Sequence, residues 1–79
     1  MLSLNEKVIF IQGRISNLES CIDALLNEVG ILEQISPIDQ ETIDAYLLDI
    51  ELKRKHILFM EGILNNLNNW IDQIGQSML

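Results

Sequence analysis

Few residues of this chain have the chemistry and spacing that catalysis or metal binding requires. The sequence contains one histidine, His56, and one cysteine, Cys21. A structural zinc site needs about four ligands, and a nucleophile needs a base within hydrogen-bond reach. The twelve carboxylates are scattered, with no pair that stands out for acid–base work, and no glycine-rich phosphate loop is present. We therefore predict that the chain is not an enzyme and uses no metal, cofactor or small-molecule substrate.

The charge of the chain limits the partners that it can bind. Its formal net charge is −7 at pH 7, which disfavours general binding to nucleic acids and to anionic membranes. The only basic cluster, residues 53–56 (Lys-Arg-Lys-His), follows Asp49 and Glu51 and has no interleaved aromatic residues. We interpret the cluster as a charge patch that offsets nearby acids, with a small site for RNA or another anionic partner as the alternative.

The sequence also indicates a cellular compartment. No run of about 18 apolar residues predicts a membrane span. The first residues lack a basic region followed by an apolar run and a cleavage site, so no secretory signal is predicted. A single cysteine cannot form an intrachain disulfide, and a free thiol fits a reducing compartment. We therefore expect a soluble cytoplasmic protein without a membrane partner.

The first part of the chain predicts one amphipathic helix over residues 4–34. Ser3 and Glu6 have the spacing of a capping box, in which each side chain binds the backbone N–H of the other residue. Apolar residues then alternate in steps of four and three, the period of about 3.5 residues that forms a supercoiled seam. Cys21 falls at a g position of this heptad (labelled a to g) and is predicted to be half-buried. The seam residues are Val8, Ile15, Ile22 and Val29 at a, and Leu4, Ile11, Leu18, Leu25 and Leu32 at d.

A strong helix-start signal follows the first helix. Ser36 suits the N-cap, Pro37 suits the first helical position, and Asp39 suits the positive end of the helix dipole. Proline also disfavours a helical conformation at the residue before it. The pattern therefore predicts a turn over residues 35–36 and a second helix over residues 37–75. A connection this short places consecutive helices side by side and antiparallel.

A seam of the same period runs along the second helix from Ile43, at a, to Met78. Only Lys53 interrupts its apolar series. The four asparagines within residues 65–69 fall at positions away from the seam, and we predict that they form a solvated face. Gly75 is predicted to be the residue that ends this helix.

The two seams predict the register of the hairpin, in which residue i lies opposite residue 72 − i. Lys53 is then expected to cover the seam with its aliphatic stem while its ammonium group reaches Glu19. Arg14 is expected near Glu61 or Leu58. Such partly exposed ion pairs contribute about 0–1 kcal/mol each and would influence register more than stability.

The second helix carries apolar residues that its seam does not explain. They follow one side of the seam at spacings of seven, four and seven residues, and two seam residues widen them into a broad apolar arc. Trp, Phe and Met are enriched at interface centres, and an isolated two-helix hairpin would leave them in water. We therefore predict a helical protein partner or a second copy of the chain. The predicted partner-binding residues are Leu52, Phe59, Met60, Ile63, Leu67 and Trp70.

These patterns together predict an all-α protein with one domain over residues 1–79. Its expected fold is a two-helix antiparallel coiled-coil hairpin that completes a bundle by homo- or hetero-oligomerisation. A small apolar patch at Ile9 and Phe10 is interpreted as packing against a terminus or a second copy. The predicted function is a non-enzymatic interaction module, a small chaperone or adaptor. The alternatives are a structural homodimer that forms a four-helix bundle and a small RNA-binding regulator.

The architecture resembles that of the small co-chaperones of type III secretion needle subunits. The resemblance is carried by a shorter first helix, a turn containing Asp-Gln at residues 39–40, Tyr46 soon afterwards, and a long apolar second helix. It implies a cytosolic protein that binds a helical-repeat chaperone and helps to keep a polymerising subunit soluble. The hairpin also looks like plasmid copy-number regulators, which dimerise into a four-helix bundle and bind paired RNA loops. Those use a basic and aromatic face on the first helix, where this chain has Lys7, Arg14 and Phe10.

Overall fold

Two long α-helices account for most of the chain. A computed structural model describes residues 2–77, in which helix α1 spans Leu4–Leu32 and helix α2 spans Gln40–Ser77. No strand occurs within this described range. The helices pack against each other along a rod of 65 × 19 × 15 Å. The predicted all-α fold class is therefore confirmed.

The two helices run in opposite directions. Ser3, Leu4 and Asn5, at the start of α1, line the same surface depression as Ile71 and Ile74, near the end of α2. The start of one helix can lie beside the end of the next only when the chain turns back on itself. The predicted antiparallel helical hairpin is therefore confirmed.

Helix α1 begins with the predicted capping box. The backbone N–H of Glu6 donates to Ser3 Oγ at 3.1 Å, and the backbone N–H of Ser3 donates to Glu6 Oε1 at 3.3 Å. The helix ends at Leu32, two residues before the predicted end. Beyond it, the N–H groups of Gln34 and Ile35 bind carbonyl oxygens only three residues earlier, at 3.1 and 3.2 Å. This tighter spacing interrupts the α-helical ladder ahead of the proline.

Helix α2 begins at Gln40, three residues later than predicted, because Asp39 caps it instead of Ser36. Asp39 Oδ1 accepts from the backbone N–H of Thr42 at 3.2 Å, and Asp39 Oδ2 accepts from the Thr42 hydroxyl at 2.6 Å. The Asp39 carboxylate therefore accepts hydrogen bonds from both the backbone N–H and the hydroxyl group of Thr42, as an N-cap residue does for the first turn of a helix. The predicted start at Pro37 was therefore wrong, and the connection is longer than expected.

The predicted end of α2 at Gly75 was also too early, because the helix continues to Ser77. A glycine that ends a helix normally adopts a positive φ, and no described glycine does so. Gly75 therefore remains within the helical ladder. The last predicted seam residue, Met78, lies outside the described residues.

The core of the hairpin is the row of a positions from both helices. The d residues beside it are half-buried, except for the exposed Ile74, and Leu25, Leu32 and Tyr46 pack against the core. The a-row residues Ile22 and Ile50 lie in one cluster, as the expected 72 − i register requires. The d row borders the g positions, and no third helix covers that side. The buried residues are Ile15, Ile22, Val29, Ile43 and Ile50.

Candidate protein-binding face

The six predicted partner-binding residues, here called the α2 stripe, fall into two groups in the structure. Leu52, Phe59 and Trp70 are exposed, at 55 %, 66 % and 59 % of their full accessible surface. Met60, Ile63 and Leu67 are half-buried because they lie closer to α1. The stripe is therefore a continuous strip whose inner edge contacts the hairpin and whose outer edge is uncovered.

Residues of both helices form one side of the hairpin. One surface groove is lined by Cys21, Ala24 and Glu28 from α1 and by Asp49 and Lys53 from α2. In heptad terms, the g and c positions of α1 therefore share one side with the g positions of α2. We call this side, formed by the g and c positions of both helices, the g/c face.

The exposed aromatic residues of the described chain all occupy g or c positions. Phe59 occupies a c position and Trp70 a g position of α2, and Phe10 occupies a c position of α1, where it is also exposed. The remaining aromatic residue, Tyr46, lines the groove of this face from a d position. The sequence pattern led us to group Phe10 with Ile9 and not with the α2 stripe. Phe10 and Phe59 both occupy c positions, and this shared heptad position could have indicated the link.

The opposite side of the hairpin carries exposed aliphatic residues without an aromatic one. Leu26 and Leu47 lie at e positions, and Leu58 lies at b with 68 % of its surface exposed. The four asparagines within residues 65–69 are exposed as predicted. Leu58 borders the α2 stripe at a shallow depression beside Gly62, which Phe59 and Ile63 also line. The two sides therefore differ in the kind of apolar surface that they present.

Lys53 lies in the seam as predicted, but its charge partner was wrongly predicted. Its side chain is half-buried, and Nζ lies 2.6 Å from Asp49 Oδ1 on the same helix. Glu19 occupies an e position, on the other side of the seam from the groove that Lys53 lines with Cys21. The ammonium group therefore turns towards the g position one helical turn earlier. No ion pair joins Arg14 to Glu61 among the described residues.

The basic cluster at residues 53–56 does not present a single cationic surface. Lys53 binds Asp49, and Lys55 Nζ lies 3.4 Å from Glu51 Oε1. The four residues occupy the successive positions d, e, f and g, which point in different directions around the helix. The charges of the cluster therefore point apart, and two of its three permanent cations pair with an acidic residue of the same helix.

Cys21 was predicted to be half-buried, but it is exposed. Its g position places it in the groove of the g/c face, where a two-helix hairpin supplies no covering side chain. Within residues 2–77, no group of three His, Cys, Asp or Glu side chains could hold a metal ion. Neither helix has a stretch apolar enough and long enough to cross a membrane within that range.

A carboxylate with a perturbed acidity lies at the start of α2, away from the g/c face. Hydrogen bonds from the Thr42 hydroxyl and backbone N–H lower the pKa of Asp39 below its ordinary value. Comparison of the chain with protein families, with curated proteins and with solved structures gave no match.

Proposed function

We propose that this chain is a non-enzymatic interaction module that binds helices of a partner protein through the g/c face. The observation that carries the proposal is that Phe10, Phe59 and Trp70 are all exposed and all occupy g or c positions. Large aromatic side chains dominate the energetics of protein interfaces. Burying three such residues would contribute about 5–9 kcal/mol before the cost of association.

The shape of the face favours an amphipathic helix as the bound element. Leu52 and Phe59 occupy successive c positions, two helical turns apart, and Trp70 lies three turns further along. A partner helix that lies along this line would contact them with apolar residues spaced three and four positions apart. The groove beside Tyr46 and Ala24 extends the contact surface towards the turn.

Within this class, we propose a small cytoplasmic chaperone or adaptor. The resemblance to type III secretion needle-subunit co-chaperones supports a client that polymerises and a helical-repeat chaperone as the further partner. Covering an apolar helical segment of such a client would prevent its association with other copies. A sedimentation assay tests this role: the client should remain in the supernatant with an equimolar amount of this chain and pellet without it.

Adjacent residues provide a matched test of the face itself. Phe59 and Leu58 are exposed to almost the same extent, 66 % and 68 %, but occupy a c and a b position of α2, respectively. We expect Phe59→Ser to weaken binding of the captured partner by about tenfold or more, as loss of a central aromatic residue does. Leu58→Ser should leave the affinity within about threefold of the wild-type value.

Affinity would be measured by titration calorimetry with a partner first isolated from the host cell. Circular dichroism of both variants controls for loss of helix. Equal weakening by both substitutions, or no effect of Phe59→Ser, would contradict the assignment of the g/c face.

A further inference from the structure

We infer that a second copy of this chain occupies the g/c face when no other protein is bound, with its hairpin running in the opposite direction. The inference rests on the proposed function in that both use the same face. A single hairpin leaves this face open, and none of its described side chains is fully buried. The arrangement of charge and side-chain size along the face specifies the orientation of the second copy.

When two copies of α1 face each other in opposite directions, charges at their g positions meet charges of opposite sign. Lys7, Arg14 and Glu28 all occupy g positions, with the two cations in the first half of Leu4–Leu32 and the acid in the second half. Lys7 and Glu28 lie at nearly equal distances from the middle of the helix. Consider a two-fold axis that lies in the plane of the face and crosses the rod at its middle. This axis places Lys7 opposite Glu28 of the second copy, and the same pair forms twice.

The antiparallel arrangement also brings large side chains of one copy opposite smaller side chains of the other. Phe10 and Ala24 occupy c positions at similar distances on either side of the middle of α1, so reversal places the large ring over the small side chain. On α2, Leu52 and Phe59 lie on either side of His56, so each faces the other residue in the second copy. Large residues opposite small ones allow two layers of helices to interdigitate.

The parallel orientation lacks this complementarity. A two-fold axis along the rod places α1 of one copy over α2 of the other. In that arrangement Lys7 lies opposite Ile63 and Asn66 of the other copy, by the 72 − i register. The acid at a g position of α2, Asp49, already binds Lys53 and lies far from Lys7 along the rod. The parallel orientation therefore leaves Lys7 without an opposite charge across the interface. The antiparallel orientation is therefore the one that the face favours.

The available area is sufficient for a stable dimer. Helix α1 has 29 residues and is therefore about 44 Å long. The rod is 19 Å wide, so full overlap along α1 would cover about 800 Å² on each copy, the usual size of a specific interface. The second layer would also cover the half-buried d residues that border the g positions.

A charge exchange within one chain tests both the dimer and its orientation. We expect Lys7→Glu and Glu28→Lys each to raise the dimer Kd about tenfold, because each change affects two symmetry-related pairs. The double variant Lys7→Glu/Glu28→Lys should return to within about threefold of the wild-type Kd, because the pairs re-form with reversed sign. Sedimentation equilibrium measures these constants.

Glu19→Lys is the matched control, because it makes the same charge change as Glu28→Lys at an e position outside the face. It should not raise the Kd. A wild-type chain that is monomeric up to about 100 μM would overturn the inference. Failure of the double variant to recover would overturn the antiparallel orientation.

Disulfide cross-linking tests the orientation without relying on charge. Asn17 lies near the middle of α1 at a c position, so Asn17→Cys in a Cys21→Ser background should cross-link two copies under mild oxidation. Ile31→Cys in the same background should remain uncross-linked, because Ile31 takes no part in the charge pairs and its counterpart lies at the far end of the face. Equal cross-linking of the two variants, or none for Asn17→Cys, would overturn the antiparallel orientation.

The two proposals can fail independently. A monomeric wild-type chain that still loses its partner through Phe59→Ser would overturn the second-copy inference alone. A dimer that shows the charge rescue but binds no client would support the inference and contradict the chaperone or adaptor function.

Discussion

At the scale of single residues, Lys53 shows how a charged side chain can occupy an apolar seam. Its aliphatic stem covers the d row, and its side chain is only 26 % exposed. Its ammonium group leaves the seam at the groove and binds Asp49 at 2.6 Å. An exposed or partly exposed pair one helical turn apart stabilises a helix by only about 0.2–0.5 kcal/mol. Lys53 therefore limits the apolar contact of the seam more than it strengthens the hairpin.

We expect Lys53→Leu to stabilise the hairpin by about 1 kcal/mol, because apolar burial at a d position outweighs the loss of a weak ion pair. Lys55→Leu is the matched control, since Lys55 also pairs four residues back but is 68 % exposed. The control should change the free energy of unfolding by less than about 0.5 kcal/mol. Urea unfolding followed by circular dichroism measures both, and a destabilised Lys53→Leu variant would contradict this account.

At the scale of the helix, the start of α2 is determined by a local competition between two caps. Ser36 and Pro37 form a start signal in sequence, but Asp39 has a threonine three residues later that donates to its carboxylate twice. The capping carboxylate also lies at the positive end of the helix dipole. Because Thr42 stabilises the charged form, the pKa of Asp39 is lowered. The start of α2 should therefore depend on pH.

The direction of the pH dependence follows from the lowered pKa. A depressed carboxyl pKa means that the cap stabilises α2 fully above the unfolded value of about 3.9, and this stabilisation is lost as pH falls through the folded value. Carbon-detected NMR titration of the Asp39 carboxyl group should give a pKa below about 3.9. Thr42→Val should raise it, because the first cause of the shift is the hydroxyl hydrogen bond.

Thr42→Ser is the control, because serine keeps the hydroxyl group and should keep the pKa of Asp39 low. An unchanged pKa in Thr42→Val would show that the side-chain hydrogen bond is not the main cause.

At the scale of the whole molecule, net charge opposes both hairpin formation and association. The chain carries −7 on a rod only 19 Å wide, so its carboxylates repel one another along the full length. Apolar burial along the a row and the g/c face must exceed this repulsion. Both proposed interactions of the chain therefore depend on ionic strength.

We expect the melting temperature to rise by a few degrees between about 10 mM and 150 mM NaCl, because the Debye length falls from about 30 to 8 Å. Glu19→Lys removes one negative charge and adds one positive charge, which changes the net charge from −7 to about −5, and this variant should show a smaller rise. Differential scanning calorimetry at fixed protein concentration measures both, and a melting temperature that falls with salt would contradict net repulsion.

Most of the fold could be predicted from the sequence because its signals act over a few residues. Ser3 and Glu6 cap α1 as expected, and the predicted a residues from Ile15 to Ile50 form the core. The alternation of four and three places these residues on one side of each helix regardless of what packs against them. The asparagines within residues 65–69 follow from the same register. The hairpin was therefore determined by the sequence pattern itself.

The tertiary structure decided which sides of the two helices share one face. The packing of α1 against α2 leaves Phe10 exposed at a c position, exposes Cys21, and leaves Lys53 to bind Asp49 instead of Glu19. These outcomes depend on distances between helices, which no periodicity within one helix specifies. The sequence thus determined the core and the exposed stripe, whereas packing decided that this stripe is one half of a face built from both helices.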